Sequence, residues 1–162
     1  MKDKLKEILY NALAQILKEI GIEDFDCIED PEKNLTCEII LTIGITGHLT
    51  GTMMLQSDRK SATFIAEKML SKINHFPEGD DFTESHQEAI REIMNLISGR
   101  SLMILSEHQI DCNLTPPTLI TGKEICPSMY NIGYSVHTGA KGSFGEIYFF
   151  FGVKQESIPG NL

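Results

Sequence analysis

The chain has 162 residues, 41% hydrophobic and 23% charged, enough for one ordinary globular domain with a sizeable core, so residues 1–162 are expected to fold as a single domain. A formal net charge of -9 and a pI near 5.0 exclude a binder of the phosphate backbone, which needs a concentrated positive surface to release counterions; no nucleic-acid partner is expected. Cys27, Cys37, Cys112 and Cys126 lie far apart with no Cys-x-x-Cys pair, which removes a metal ribbon or redox dithiol and fits reduced thiols in a cytoplasmic protein.

Residues 1–6 are charged but run into an amphipathic pattern without an apolar signal core, so secretion is not indicated. Leu5, Ile8, Leu9, Leu13, Ile16, Leu17 and Ile20 recur at helical spacing and Gly21 follows as a C-cap, which predicts a helix over 2–20 that packs on a sheet. Residues 25–38 carry Asp30, Pro31 and Asn34, which suit a turn between short extended pieces. Residues 37–45 and 49–56 are rich in β-branched and apolar side chains, and the Gly47-His48 step between them predicts a hairpin. The same region, 39–55, is the longest apolar stretch, but Gly44, Gly47, His48 and Gly51 break it and no membrane span is expected.

Ser57 or Asp58 can cap a helix whose apolar side is Ala62, Phe64, Ile65, Met69, Leu70 and Ile73, and residues 74–81, with Pro77 and Gly79, read as a loop. Thr83 and Ser85 are both N-cap candidates, and Ser85-His86-Gln87-Glu88 matches a capping box for a long helix extending to about residue 106. Pro116-Pro117 and Pro127 then punctuate short extended segments. Residues 131–137 and 143–153 predict a second hairpin turned around Gly139 and Gly142, with Tyr148, Phe149, Phe150 and Phe151 in a core strand. This order is not the strand-helix alternation of a doubly wound sheet. The expected fold class is α+β, an antiparallel sheet built from two hairpins packed against long helices.

The long helix carries the most informative surface. At about 100° per residue, Glu88, Glu92, Asn95 and Gly99 fall within roughly 60° of arc, while Ile90, Ile93, Met94 and Ile97 gather on the opposite side. Two carboxylates, an amide and a glycine in line must face water or a partner. Glu88 and Glu92 could act as a carboxylate pair, and a solvated helix face is the plain alternative.

Other templates fall away. Thr121-Gly122-Lys123-Glu124 lacks the upstream glycine and the hydroxyl of a P-loop, and Gly44, Gly47 and Gly51 are not spaced as a dinucleotide fingerprint. His48, His75, His86, His108 and His137 are dispersed, expected on surfaces or in turns, and no metal site is expected. No nucleophile elbow surrounds Ser98 or Ser101.

Glu92-Ile93-Met94-Asn95 on a long helix, preceded by the glycine-bearing segment 43–51 and a helix starting near Asp58, resembles the CheC/CheX/FliY family of chemotaxis phosphatases, the CheX branch most closely. That family's signature is an acidic or serine residue, a glutamate four later, an asparagine three after that, and a downstream proline. Glu88, Glu92, Asn95 and Pro116 or Pro117 stand in those places, Glu88 being longer than the usual aspartate or serine. The resemblance implies a CheC-like fold and a phosphatase acting on the aspartyl phosphate of a CheY-like response regulator. It makes Glu92 and Asn95 the catalytic pair, with Glu88 beside them as a partner contact; on the same stripe Gly99 lets another backbone come close, and Leu102 and Met103 flank it as candidate apolar partner contacts. It also implies Mg²⁺ on the receiver partner with no cofactor of the chain's own, and a homodimer, for which the aromatic last strand could supply apolar surface. A non-catalytic module binding a receiver or flagellar partner through the same acidic face is the alternative.

Overall fold

The computed structural model describes residues 2–29, 31, 36–72, 82–128 and 132–154. In chain order these form α1 (Lys2–Glu19), β1 (Phe25–Glu29), β2 (Cys37–Gly47), β3 (Gly51–Ser57), α2 (Arg59–Lys72), α3 (Glu84–Glu107), β4 (Cys112–Leu114), β5 (Thr118–Ile125), β6 (Tyr134–Gly142) and β7 (Gly145–Val153). The strands make one antiparallel sheet in the order β1-β6-β7-β3-β2-β4, and β5 pairs with the other half of β2's outer edge. The α+β class and the two-hairpin sheet expected from the sequence are what the structure shows.

Period-two alternation explains why the helices lie on one face. Ile39, Leu41, Ile43 and Ile45 of β2, Met53 and Leu55 of β3, and Ile147, Phe149 and Phe151 of β7 all point into the main core. Leu9, Leu13, Ile16 and Leu17 of α1, Ala62 and Ile65 of α2, and Ile90, Ile93 and Ile97 of α3 close it from the other side. The intervening residues Ile40, Met54 and Phe150 form a smaller cluster with Cys37, joined by Ile125 and Ile132 from either end of the β5–β6 connection. The aromatic strand β7 is therefore internal, flanked by β3 and β6, and Phe149 and Phe151 are spent on the chain's own core.

Three local expectations need correction. The second hairpin turns at Ser143-Phe144, between Gly142 and Gly145, while Gly139 lies inside β6 opposite Tyr148. Gly145 sits at φ +103, a left-handed turn conformation, whereas Gly139 lacks a side chain because a Cβ would lie 2.7 Å from the Ile147 carbonyl. The cap of α3 is Thr83, not Ser85, and the reciprocal residue of its capping box is His86 instead of Glu88. His86 is consequently fully buried rather than at the surface. The expected loop at 74–81 lies outside the described residues. Asp58 does cap α2, its carboxylate accepting the Ser61 N–H at 2.6 Å.

Candidate functional site

α3 is the longest helix described, and both other helices pack along it, α1 on one flank and α2 on the other. Its apolar stripe sinks completely: Ile90, Ile93, Met94 and Ile97 have no exposed surface. That fixes the helix's rotation and turns the opposite stripe outward. Glu88 and Glu92 are exposed, and Asn95 and Gly99 are half-buried. The helical spacing sets Glu92 and Asn95 one turn apart, with about 5–6 Å between their Cβ atoms.

Elsewhere on the helical layer, polar groups are tied to each other. Arg100 donates to Gln15 Oε1 at 2.7 Å and to Glu19 Oε1 at 3.0 Å, lashing α3 to α1. Lys4 Nζ lies 3.3 Å from His108 Nδ1 at the far end of the same pair of helices. By contrast, no described residue hydrogen-bonds or ion-pairs with the side chain of Glu88, Glu92 or Asn95. An amide and two carboxylates with unspent donors and acceptors can orient a water, accept from a cation, or both.

Gly99 is informative because the protein does not need it. A Cβ there would meet nothing within 4 Å, although glycine within a helix costs about 1 kcal/mol relative to alanine. One turn on, Met103 is 64% exposed, while Leu102 is half-buried and leans on the main core. Of the residues expected to form a surface on α3, Glu88, Glu92, Asn95, Gly99 and Met103 share one open face, and Leu102 only borders it.

The candidate prolines stand at the sheet edge that α3 crosses. Pro116 and Pro117 join β4 to β5, and Thr115 pins that joint to β2 by accepting the Gly44 N–H at 2.8 Å and donating its own N–H to the Gly44 carbonyl at 2.9 Å. Thr115 Cγ2 would lie 3.0 Å from a Cβ at position 44, so this glycine admits the joint. Cys37 is no nucleophile, since burial pushes its thiol up to about 11 and keeps it protonated at neutral pH. Burial also raises Cys112. Among the described residues no group of three or more His, Cys, Asp or Glu could hold a metal ion, and no helix is long and apolar enough to cross a membrane.

Comparison with known proteins bears on the segment that carries this surface. Residues 39–131, which contain α2, α3, β3, β4 and β5 whole and β2 from its third residue, match the family described as chemotaxis phosphatase CheX. The chain belongs to that family. No curated protein matches its sequence. Among solved structures it resembles a CheC-like superfamily protein from Shewanella sp. PV-4, at 16% identity and a TM-score of 0.80 over 95% of this chain and 99% of that one. The chemotaxis protein CheX of Desulfovibrio desulfuricans is similar at 18% identity and a TM-score of 0.78, covering 93% and 99% of the two chains. A third likeness is to the CheX-CheY-BeF3-Mg²⁺ complex of Borrelia burgdorferi, at 18% identity and a TM-score of 0.74 over 92% and 97%. At these identities the structural likenesses establish the CheC-like fold of this CheX-family chain.

His86 is the residue that the sequence reading missed. Its signal was present: a histidine three residues after a threonine can close a capping box with its ring nitrogen, where the usual pattern looks for glutamate or glutamine.

Proposed function

We propose that this CheX-family chain is a phosphatase that accelerates hydrolysis of the aspartyl phosphate on a CheY-like response-regulator receiver. The single observation that carries the proposal is the open stripe on α3, within the segment that matches the family, where Glu92 and Asn95 stand one turn apart with no described intramolecular partner.

The chemistry suits so spare a site. The receiver brings the acyl phosphate and the Mg²⁺ beside it, so this chain needs to supply only position. Asn95 holds a water in line with the phosphorus, its amide oxygen accepting from the water while its NH₂ group remains a donor. The water oxygen bonds to phosphorus, the bond from phosphorus to the aspartyl oxygen breaks, and the receiver's carboxylate and inorganic phosphate leave. Glu92 pairs with a cation at the receiver's site and sets the docking angle. Glu88 extends the acidic line, while Gly99, Met103 and the edge of Leu102 accept the receiver's surface.

Phosphate release from a phosphorylated receiver of the same organism, with and without the chain, tests the proposal. Acceleration at substoichiometric chain is expected, and tight binding without acceleration would leave a receiver-binding module in its place. The same reading has residues 1–162 acting as one domain, in the cytoplasm with its receiver, and as a homodimer with one site per chain. Sedimentation at micromolar concentration should then show twice the 18.1 kDa chain mass.

A further inference from the structure

We propose that His86 is a positioning residue for the α3 stripe, tying the first turn of the helix to α2 through one neutral tautomer of its ring. The inference rests on the function proposed above and adds a residue that no part of that mechanism uses.

His86 has no exposed surface, yet it carries two polar ring nitrogens. Nδ1 accepts the Thr83 N–H at 2.9 Å, and the Thr83 hydroxyl, 3.1 Å from the same nitrogen, accepts the His86 N–H at 3.4 Å. An Nδ1 that accepts a backbone N–H must keep its lone pair, so the ring proton resides on Nε2. Nε2 lies 3.5 Å from Glu67 Oε1 of α2, within reach of it, and is buried with no formed hydrogen bond among the described residues. The ring also lies parallel to Phe82, with centroids 6.0 Å apart, and the Arg59 guanidinium of α2 stands 5.9 Å from the Phe82 centroid. Glu67 and Arg59 are thus the charged groups that these contacts bring to the Phe82–His86 pair, both from α2.

A glutamate in the same box would accept from Thr83 but would have no donor left to turn towards α2. Histidine accepts from Thr83 in the interior, and its far nitrogen faces the neighbouring helix. The cap therefore sets the depth and rotation of the first turn of α3 against α2. Glu88 lies two residues beyond His86, and Glu92 and Asn95 follow on the next two turns. A stripe that places a water in line tolerates little displacement, since a shift of about 1 Å can cost on the order of a hundredfold in rate.

The experiment combines NMR of the wild-type chain with two pairs of variants. Long-range ¹⁵N–¹H spectra at neutral pH should show His86 Nδ1 unprotonated and Nε2 protonated. The reverse tautomer overturns the proposal. His86→Ala should lower the rate constant of receiver dephosphorylation about tenfold with less than a twofold change in KM, and should speed hydrogen exchange from Gln87 through Asn95. His86→Gln, which can accept from Thr83 and donate towards Glu67, should restore both to within about twofold. Should His86→Ala not fold, Glu67→Ala and Glu67→Gln take its place at a half-exposed position. The alanine variant should slow dephosphorylation and the glutamine variant, which keeps an acceptor, should not. Wild-type turnover and unaltered exchange in the alanine variants would overturn the tether. If the wild-type chain releases no phosphate, the function proposed above fails, while the tautomer and exchange measurements still decide whether His86 holds α3.

Discussion

α1 and α3 are adjacent amphipathic helices on the same side of the sheet, and they treat their polar residues differently. α1 spends Gln15 and Glu19 on Arg100 and sets Lys4 against His108, so its polar face helps hold the helical layer together. α3 contributes Arg100 to that layer from its flank and leaves Glu88, Glu92 and Asn95 unspent along its crest. Both helices also carry an acid and an asparagine one turn apart, Glu7 with Asn11 on α1 and Glu92 with Asn95 on α3. The contrast teaches that composition does not mark the site. What distinguishes α3 is a glycine in open space, an exposed methionine beside it, and a central position between two flanking helices.

The sharpest way to break the comparison is Asn95→Ala. A group that acts mainly in the transition state should lower single-turnover dephosphorylation by about a hundredfold, or roughly 3 kcal/mol, with little loss of affinity for the phosphorylated receiver. Turnover at the wild-type rate would return α3 to the condition of α1. Glu92→Ala should cost about tenfold in both binding and turnover and flatten the dependence on salt, because a cation pairing across the interface would be lost. Calorimetric titration at two ionic strengths reads both effects. Neither change should shift the unfolding free energy by more than about 0.5 kcal/mol, since each side chain lies on a face without intramolecular partners.

Gly99→Ala sharpens the comparison by separating folding from binding. With nothing within 4 Å of the new methyl, the helix should gain about 0.5–1 kcal/mol and the melting temperature should rise by about 1–4 °C. On the proposed docking, receiver binding should weaken about threefold even so, because the added methyl would stand where the partner's backbone is proposed to approach. Stability and affinity that rise together would remove Gly99 from the interface. The smallest effect belongs to α1: Glu7→Ala and Asn11→Ala should leave dephosphorylation within about twofold of wild type, checked in the same assay.

Much of this was legible in the sequence where periodicity is long. The repeats of Leu5, Leu9, Leu13 and Ile16, and of Ile90, Ile93, Met94 and Ile97, define two helices and their buried sides, and so the direction of the Glu92–Asn95 stripe. The β2–β3 hairpin was legible from its β-branched residues, although the turn spans 48–50 rather than a two-residue step. What escaped depended on contacts distant in the chain. Gly139 looks like a turn residue until Ile147 and Ile28 crowd it across the sheet. His86 looks like a surface histidine until Phe82 and Glu67 enclose it. The sharing of β2's edge between β4 and β5 follows from Thr115 docking on Gly44, a pairing that no local pattern encodes.

The placement of β1 has a consequence for how the molecule comes into being. Among the described residues Phe25–Glu29 pairs only with Tyr134–Gly142, more than a hundred residues downstream, and α1 packs on the same late strand. During synthesis the first helix and first strand emerge with no sheet to join, and non-local pairing of this kind is slow because long loops must close first. The helix whose Gln15 and Glu19 lash Arg100 therefore lacks its strand partner until β6 has been made. A nascent chain halted before β6 has the site helix but not the strand on which its α1 flank packs.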